Sequence, residues 1–246
     1  MRIGVYIDGF NVYYGARKHC GRGTPGWRWL DLRALVSPLA GWQGSSISRL
    51  VYCTARVDPA ENASGRVDQA AYLEALRTSG SVDVIAEGRY VSWAKEEPLV
   101  NETRGAFRPT PYRHTDEEWD VRLPLRRVPP REAGGSSGVM ATVQKREEKG
   151  SDVNVASHLL FDVLTGAVDA AIVVTNDSDL ELPLQMVRRH VHVGTVNPST
   201  NPTAGALKGR PDDGVGRHWW RRLTAADYRA SQLPERVGTL RRPVGW

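Results

Sequence analysis

Two short apolar runs, far apart in the chain, each end in aspartate, and this arrangement constrains the fold more than any other feature. Residues 3–7 lead into Asp8, and residues 170–175 lead towards Asp177 and Asp179. A near-continuous apolar run bounded by turn residues is typical of a strand buried on both faces of a parallel sheet. Helical patterns separate such runs along the chain. The alternation therefore predicts an α/β fold with a parallel sheet covered on both faces.

The hydrophobic spacing predicts a series of alternating elements. A repeat of two residues or a continuous apolar run indicates a strand, and apolar residues three or four apart indicate one helix face. Gly166 is expected to end one helix, and Pro183 is tolerable in another because it falls in the first turn. The predicted strands are 2–7, 48–55, 82–87, 139–145, 170–175 and, as the last, 191–196. The predicted helices are 11–18, 30–39, about 67–76, 152–164, 179–190 and a short one capped by Thr224.

The alternation is interrupted between about residues 93 and 138. This stretch is rich in Pro, Glu and Arg and ends in Gly-Gly-Ser-Ser-Gly. A loop of this length is uncommon inside a compact domain, so we expect it to be functional, hairpin-forming or mobile, with residues 121–128 as one hairpin arm. We therefore expect a domain of residues 1–200 with an irregular insert at about 93–138. A basic C-terminal extension, 201–246, is expected to pack on that domain.

The composition limits the class of protein. The formal net charge of +5 suits a polyanionic partner such as RNA, and suits an ordinary soluble surface equally well. Two cysteines are too few for a disulfide framework or a four-thiolate zinc site. The sequence shows no secretory signal and no apolar run long enough to span a bilayer. We therefore expect a cytoplasmic protein with no membrane contact; its oligomeric state is left open.

Four aspartates are predicted to meet at one edge of the sheet. Asp8, Asp177 and Asp179 follow strands, and Asp152 opens a helical pattern. Ligands of open parallel sheets bind in the crevice at the carboxyl ends of the strands. Carboxylates gathered there repel one another unless a cation shares them, and a divalent metal prefers oxygen ligands. A simpler alternative stays open: Asp152 and Asp177 can each stabilise the start of a helix.

Three segments resemble a known family in their residues and order. They are 7–11 (Ile-Asp-Gly-Phe-Asn), 148–153 (Glu-Lys-Gly-Ser-Asp-Val) and 174–180 (Val-Thr-Asn-Asp-Ser-Asp-Leu). From residue 2 to about 196 the chain resembles the NYN family of PIN-like ribonuclease domains. The resemblance implies a Rossmann-like three-layer α/β/α sandwich with a central mostly parallel sheet, and metal-dependent RNA cleavage with Mg²⁺ or Mn²⁺. Ser151 and Leu180 depart from the family pattern, and the insert has no clear counterpart in it.

Carried over residue by residue, the resemblance implies a catalytic and metal-binding group and a substrate-binding group. The first is Asp8, Asp152, Asp177 and Asp179; the second is Asn11, Lys149, Asn176 and Ser178. One or two oxygen-ligated metals activate water and neutralise phosphate charge, which is what RNA hydrolysis needs.

Within that site each residue type has an expected task. Asp8 is the expected central ligand, and Asp152 holds a second metal or orients the attacking water. Asn11 hydrogen-bonds a phosphate oxygen or a metal-bound water, and Lys149 neutralises a phosphate. Glu148, in contrast, is expected to be a solvated loop residue.

The leading hypothesis is a metal-dependent ribonuclease that hydrolyses RNA phosphodiester bonds with a metal-activated water. The alternative is a non-cleaving RNA-binding or regulatory module on the same fold, or an interaction protein that docks a partner through the insert. Four intact aspartates favour the enzyme, because a binding module gains nothing from mutually repelling groups. The arginines near Trp219 and Trp220, with Arg126, Arg127 and Arg131, either contact RNA or surround tryptophans that pack on the domain.

Overall fold

The structure is a computed structural model that describes residues 1–100, 112, 122–129 and 137–246. The strands are β1 (Arg2–Asp8), β2 (Ser46–Ala55), β3 (Val84–Pro98), β4 (Leu125–Val128), β5 (Gly138–Lys149), β6 (Ala170–Val174), β7 (His192–Asn197), β8 (Trp219–Arg222), β9 (Arg236–Val237) and β10 (Leu240–Arg241). The helices are α1 (Gly9–Cys20), α2 (Leu32–Val36), α3 (Ala63–Thr78), α4 (Ser151–Leu164), α5 (Glu181–Val187), α6 (Gly205–Lys208) and α7 (Ala225–Ala230), with 3₁₀ turns at Ser37–Leu39 and Ser178–Leu180.

The main sheet has the strand order β4-β5-β3-β2-β1-β6-β7-β8. β1 pairs in parallel with both β2 and β6, and the β2–β3, β6–β7 and β7–β8 pairs are parallel too. Without β4 and β5, this is the order of a doubly wound Rossmann sheet, built outward from β1 in one direction and then in the other. The strand order reverses between β1 and β6, which is where such folds bind their ligands.

Alternate residues of the central strands enter two separate cores. Ile3, Val5 and Ile7 lie in the core that α1, α2 and α3 cover. Tyr6, between them in sequence, lies in the core under α4 and α5. Because successive strand residues point to opposite faces, one strand supplies both layers. The predicted three-layer α/β/α sandwich is confirmed.

The helix boundaries follow local signals. Gly166, with φ of 68°, ends α4 as predicted, and the amides of Gly166 and Ala167 reach the carbonyls of Val163 and Asp162 at 3.1 and 2.8 Å. Thr224 caps α7 as predicted. The predicted helix 179–190 is shorter, because a 3₁₀ turn precedes α5 and α5 ends at Val187.

The chain divides into two compact units. One comprises Met1–Tyr90 with Glu148–Trp246, and the other comprises Val91–Glu147. In the second unit β3 continues to Pro98, where the sequence predicts irregular structure from about residue 93. β4 pairs antiparallel with β5, and residue 121 of the predicted hairpin arm lies outside the described residues. In this unit Arg126 pairs with Glu96 at 2.7 Å, while Arg131 lies outside the described residues.

The C-terminal region contributes a strand to the first unit. β8 pairs with β7 from Gly194–Trp219 to Asn197–Arg222, so the prediction that 191–196 is the last strand is wrong. The indole of Trp219 lies over Gly194, where a Cβ would stand 2.2 Å from the ring, and against Trp42 at 5.5 Å. Only a glycine at that position leaves room for the ring. Trp219 therefore packs on the domain, while Trp220 is 41% exposed.

Across the ranges that the structure describes, every helix is too short or too polar to cross a bilayer. Cys53 is buried in β2.

Candidate functional site

Asp8 closes β1 and caps α1 with the same side chain. It is 1% exposed; its Oδ1 accepts the Asn11 amide at 3.0 Å, and its Oδ2 accepts the Asn11 side-chain amide at 2.5 Å. This cap starts α1 at Gly9, two residues before the predicted start. An aspartate directly before the first helical residue is a common N-cap, and that signal was available in the sequence.

Thr175, which sequence reasoning did not select, joins the ends of β1 and β6. Its buried hydroxyl donates to Asp8 Oδ2 at 3.0 Å and accepts the backbone N–H of Asp177 at 3.1 Å. Asn11 adds a second link, because its Oδ1 accepts the backbone N–H of Asn176 at 3.1 Å. The two strand ends on either side of the sheet's reversal point are therefore held together by side chains.

Asp177 has a local role as well. Its Oδ1 accepts the backbone N–H of Asp179 at 3.0 Å and so caps the 3₁₀ turn Ser178–Leu180. The capping alternative is thus confirmed for Asp177, although a cap that uses one oxygen leaves the other available. Asp179 and Ser178 are both exposed to solvent.

Asp152 is the second residue of α4, a helix that packs against β1 and β2. Burial has the largest effect on its pKa, followed by the charges of Asp8, Asp177, Glu148 and Asp179 in that order, and together they raise it to about 6. Burial likewise raises the pKa of Asp8, opposed by the hydrogen bonds from Asn11 and Thr175 and assisted by the charge of Asp177. The structure therefore brings Asp8, Asp152 and Asp177 within electrostatic reach of one another, and Asp179 within reach of Asp152.

Glu148 differs from its expected role as a solvated loop residue. It is half-buried, and its Oε1 accepts the backbone N–H and the hydroxyl of Ser151 at 3.1 and 3.0 Å, which caps α4. β3 passes close to this cap, since a Cβ on Gly88 would lie 2.3 Å from Glu148 Oε1. Lys149, the last residue of β5, comes directly after Glu148 in the sequence and is exposed.

Asn176 organises a loop. Its Oδ1 accepts the Ala204 amide at 2.9 Å, and its Nδ2 donates to Pro202 O at 3.3 Å and Ser199 Oγ at 3.4 Å. Its predicted contact with substrate stays a prediction. Next to it a cavity of about 250 Å³ has Asn11, Asn176 and Lys18 in its wall.

The types of residue at this site suit a divalent metal better than the distances between them do. Among the residues with described positions, no three His, Cys, Asp or Glu side chains are grouped closely enough to enclose an ion. The donors are nevertheless all carboxylates, the hard oxygens that Mg²⁺ and Mn²⁺ prefer, and Mg²⁺ commonly keeps several waters and takes one or two carboxylates. The residue types of the group therefore suit such an ion.

Comparison with known proteins gives one relative of high coverage. No protein-family model matches the chain. The 6-hydroxy-3-succinoylpyridine 3-monooxygenase HspA of Pseudomonas putida (strain DSM 28022 / S16) is 31% identical over 99% of this chain and 73% of its own length. A crystal structure of a protein of unknown function, VPA0982 of Vibrio parahaemolyticus RIMD 2210633, aligns with a TM-score of 0.44 and 16% identity over 90% of this chain and 92% of that one. A likeness that low supports no argument about function.

Proposed function

The chain belongs to the family of 6-hydroxy-3-succinoylpyridine 3-monooxygenase HspA, which contains an enzyme, and we propose that the acidic site of this chain is catalytic too. The reaction that we propose is hydrolysis of RNA phosphodiester bonds with Mg²⁺ or Mn²⁺, and it rests on the residues of the site, because the name of the relative does not point to it. One observation carries the proposal. The hydroxyl of Thr175 links Asp8 to Asp177 at the reversal point of the sheet, and Asp152 lies within electrostatic reach of both. The resemblance to NYN ribonuclease domains rests on the same residues and supports the same chemistry.

Packed carboxylates without a counter-ion destabilise a fold, so their presence at one place needs a reason. Like charges at close range raise one another's pKa values, as they do for Asp152. Two members of the cluster cap helices. Asp152 lies in the first turn of α4, where the helix dipole favours an anion as the simpler alternative expects, although the hydrogen bonds at this helix start go to Glu148. A bound cation gives this third carboxylate a function that capping does not.

The chain's own residues can be assigned tasks in hydrolysis. When bound, a divalent ion supplies positive charge to the phosphate and acidity to water. An oxygen of water forms a bond to phosphorus, the bond from phosphorus to the ribose oxygen breaks, and the proton of the water passes to an Asp152 carboxylate oxygen. The leaving ribose oxygen takes its proton from solvent.

Substrate contacts follow from the neighbours. One hydrogen of the Asn11 Nδ2 is used by Asp8, which leaves the second for a phosphate oxygen. Lys18, in the wall of the cavity beside Asn11, and Lys149 supply positive charge for flanking phosphates. Ser178 follows Asp177 directly and is exposed, so it provides a hydroxyl that can hydrogen-bond to substrate.

The test is cleavage of end-labelled, mixed-sequence RNA by purified protein with Mn²⁺. Asp177→Asn keeps a capping oxygen and removes a charge, so it should fold and lose cleavage at least about 100-fold, comparable to other single losses of charge stabilisation. The matched control is Asp169→Asn, which removes a surface aspartate paired with Arg2 just before β6, at the opposite end of the strand. Cleavage that survives equally in both variants would refute the proposal. Binding of RNA without cleavage by wild type would favour the non-cleaving module.

A second candidate, oxygenation of a small heteroaromatic compound, is favoured by the relative at 31% identity over 99% of the chain. Monooxygenation consumes dioxygen and two electrons from a reductant. Wild-type protein should then show oxygen uptake that depends on 6-hydroxy-3-succinoylpyridine, with NADH or NADPH supplied as electron donor. Uptake in this assay together with intact RNA in the previous one would replace the first candidate by the second.

A further inference from the structure

A second, larger cavity begins one residue from Asp8. It has a volume of about 540 Å³, and Gly9 forms part of its wall. This volume lies in the range of about 300 to 1,000 Å³ that small-molecule sites occupy. None of the four predicted catalytic aspartates is part of the wall, so the cavity is distinct from the acidic site while adjoining it.

One face of α1 forms the outer wall. Phe10, Tyr13, Tyr14 and Arg17 all line the cavity, at the i, i+3, i+4 and i+7 spacing of a single helix face. Val12, on the other side of the helix, is buried in the core. Tyr13 and Tyr14 are 43% and 53% exposed, which is high for aromatic side chains at a core-like spacing. This aromatic face therefore borders open space rather than a packed core.

The inner wall is aromatic and fixed. Tyr72 is buried, donates its hydroxyl to Leu30 O at 2.9 Å, and lies 5.8 Å from the Trp246 ring. Tyr90 packs edge-on against Phe10 with ring centroids 6.1 Å apart. Rings held in this way offer preformed edge-to-face and stacking contacts to a flat guest. A planar ring is the guest that fits such a wall best.

The polar part of the wall is cationic. Three arginines, Arg17, Arg22 and Arg28, line the cavity against a single carboxylate, Asp68. In the part of the chain that the structure describes, none of the three forms an ion pair with a carboxylate. Arg28 is held over the Trp27 ring at 4.7 Å, whereas Arg17 and Arg22 keep their guanidinium groups available.

The N-terminal turn of α3 adds to this positive potential. Asn62, which caps that 16-residue helix, and Gly65 line the cavity. The amide end of a helix carries partial positive charge. A cavity with aromatic walls and uncompensated positive charge selects a guest that is both flat and anionic.

We propose that this cavity binds a flat heteroaromatic ring that carries an anionic group. The ring packs among the aromatic side chains of α1 and the inner wall, and the anion meets Arg17 and Arg22. Two sources have this chemistry: a nucleotide of an RNA strand whose phosphate continues towards Asp8, and a small pyridine carboxylate. The first source rests on the proposed ribonuclease function, whereas binding of the ring itself does not.

Calorimetric titration of the full chain in EDTA tests the proposal without any metal. The probes are uridine 5′-monophosphate and pyridine-3-carboxylate, and the controls are uridine, which lacks the anion, and inorganic phosphate, which lacks the ring. At least one probe should bind with a Kd of about 1 mM or tighter, and each control at least about tenfold more weakly. Binding of the nucleotide alone identifies RNA as the source, and binding of the carboxylate alone identifies a small aromatic acid.

Variants locate the binding. Tyr14→Ala removes an exposed ring and Arg17→Gln removes a charge, and each should weaken the binding probe about tenfold, as expected for loss of one stacking contact. Arg189→Gln is the matched control, since Arg189 is an exposed arginine of the same domain that does not line this cavity. Absence of binding by both probes up to about 10 mM, or equal affinity in all three variants, would overturn the proposal.

The outcomes separate the two proposals. Asp177→Asn should lose RNA cleavage and keep the affinity for the probe, because Asp177 is outside the cavity wall. Probe binding by a protein that cuts no RNA leaves the cavity proposal standing and removes the ribonuclease. RNA cleavage by a protein that binds neither probe removes the cavity proposal and leaves the ribonuclease proposal standing.

Discussion

Thr175 donates its hydroxyl hydrogen to Asp8 at 3.0 Å, across the boundary between β6 and β1. The same oxygen accepts the backbone N–H of Asp177 at 3.1 Å. Thr175 is fully buried and Asp8 is 1% exposed, so water does not compete for these contacts. The bond fixes the position of Asp8 relative to Asp177 before any ligand binds. Such preorganisation is what a site needs if it is to use charge for catalysis.

Thr175→Val tests this contact with a side chain of nearly the same shape. The change removes one hydroxyl, so the backbone N–H of Asp177 and one carboxylate oxygen of Asp8 each lose a hydrogen-bond partner. We expect the free energy of unfolding to fall by about 1 to 3 kcal/mol, the usual cost of an unsatisfied buried group. It should also weaken binding of Mn²⁺, because Asp8 is no longer held in place. Urea unfolding with and without Mn²⁺ measures both effects.

The control for that experiment is Thr195→Val on β7. Thr195 is also buried, and its hydroxyl donates to Leu207 O at 3.3 Å, away from the acidic residues. It should lose stability without a change in the response to metal. Equal loss of the metal response in both variants would show that the threonine beside Asp8 has no special role.

Metal binding should stabilise the folded protein. Mn²⁺ or Mg²⁺ binds the folded state in preference to the unfolded chain, so the Tm of wild type should rise with metal concentration. Asp8→Asn keeps an N-cap residue of the same shape and removes a ligand charge, so its Tm should respond far less. Thermal unfolding monitored by circular dichroism, with EDTA as reference, measures the shift. An undiminished response in Asp8→Asn would place the metal elsewhere.

Stability without metal should depend on pH through Asp152. Burial and neighbouring carboxylates raise its pKa to about 6, above the value of about 3.9 in an unfolded chain. Between these values the folded state holds more protons than the unfolded state, so the free energy of unfolding falls as pH rises from about 4 to 6. Asp152→Asn removes this term. At pH 8 in EDTA the variant should be more stable than wild type by about 1 kcal/mol, a value reduced for solvent screening of a half-exposed group.

The stabilisation by Asp152→Asn should disappear below about pH 4, where the wild-type carboxyl is protonated in both states. Asp83→Asn provides a contrast, because Asp83 accepts hydrogen bonds from Arg33 at 2.8 Å and from the Leu50 amide at 2.6 Å. That variant should be less stable than wild type at pH 8. Urea unfolding across pH 4 to 8 distinguishes the two signs, and a destabilised Asp152→Asn at pH 8 would contradict the clustering of charge.

The packing of α1 against the loop after β7 should be intolerant of a single methyl group. A Cβ on Gly15 would lie 2.2 Å from the carbonyl oxygen of Pro198, so Gly15→Ala must displace the helix that carries Asn11. We expect a loss of about 1 to 3 kcal/mol and reduced RNA cleavage. Gly23→Ala is the control, since a Cβ there has open space and should change stability by less than about 0.5 kcal/mol.

Much of the fold was predictable because its signals are local. The runs at β1 and β6 and the helix of α4 with its Gly166 stop are set by hydrophobic period and turn residues, and the structure confirms them. β8 was missed because a strand of four residues is too short to show a hydrophobic period. Its pairing depends on Gly194, about 25 positions earlier, which leaves room for Trp219.

The residues of the site likewise fall into those with a local sequence signal and those that depend on distant parts of the chain. The aspartates were readable because each follows a strand or opens a helix. Thr175 was missed, since a threonine at the end of an apolar run is an ordinary strand residue until β1 pairs with β6, more than 160 positions away. Tyr13 and Tyr14 were missed because helical spacing alone does not distinguish a core face from a cavity wall.

β8 also protects its neighbour. β7 is buried along nearly its whole length, and β8 takes up the backbone groups on its outer side. A polypeptide shortened before residue 219 would present β7 as an open, apolar edge, which is a template for pairing with other chains. Trimming the arginine-rich end to obtain a smaller soluble fragment would therefore favour aggregates over monomers.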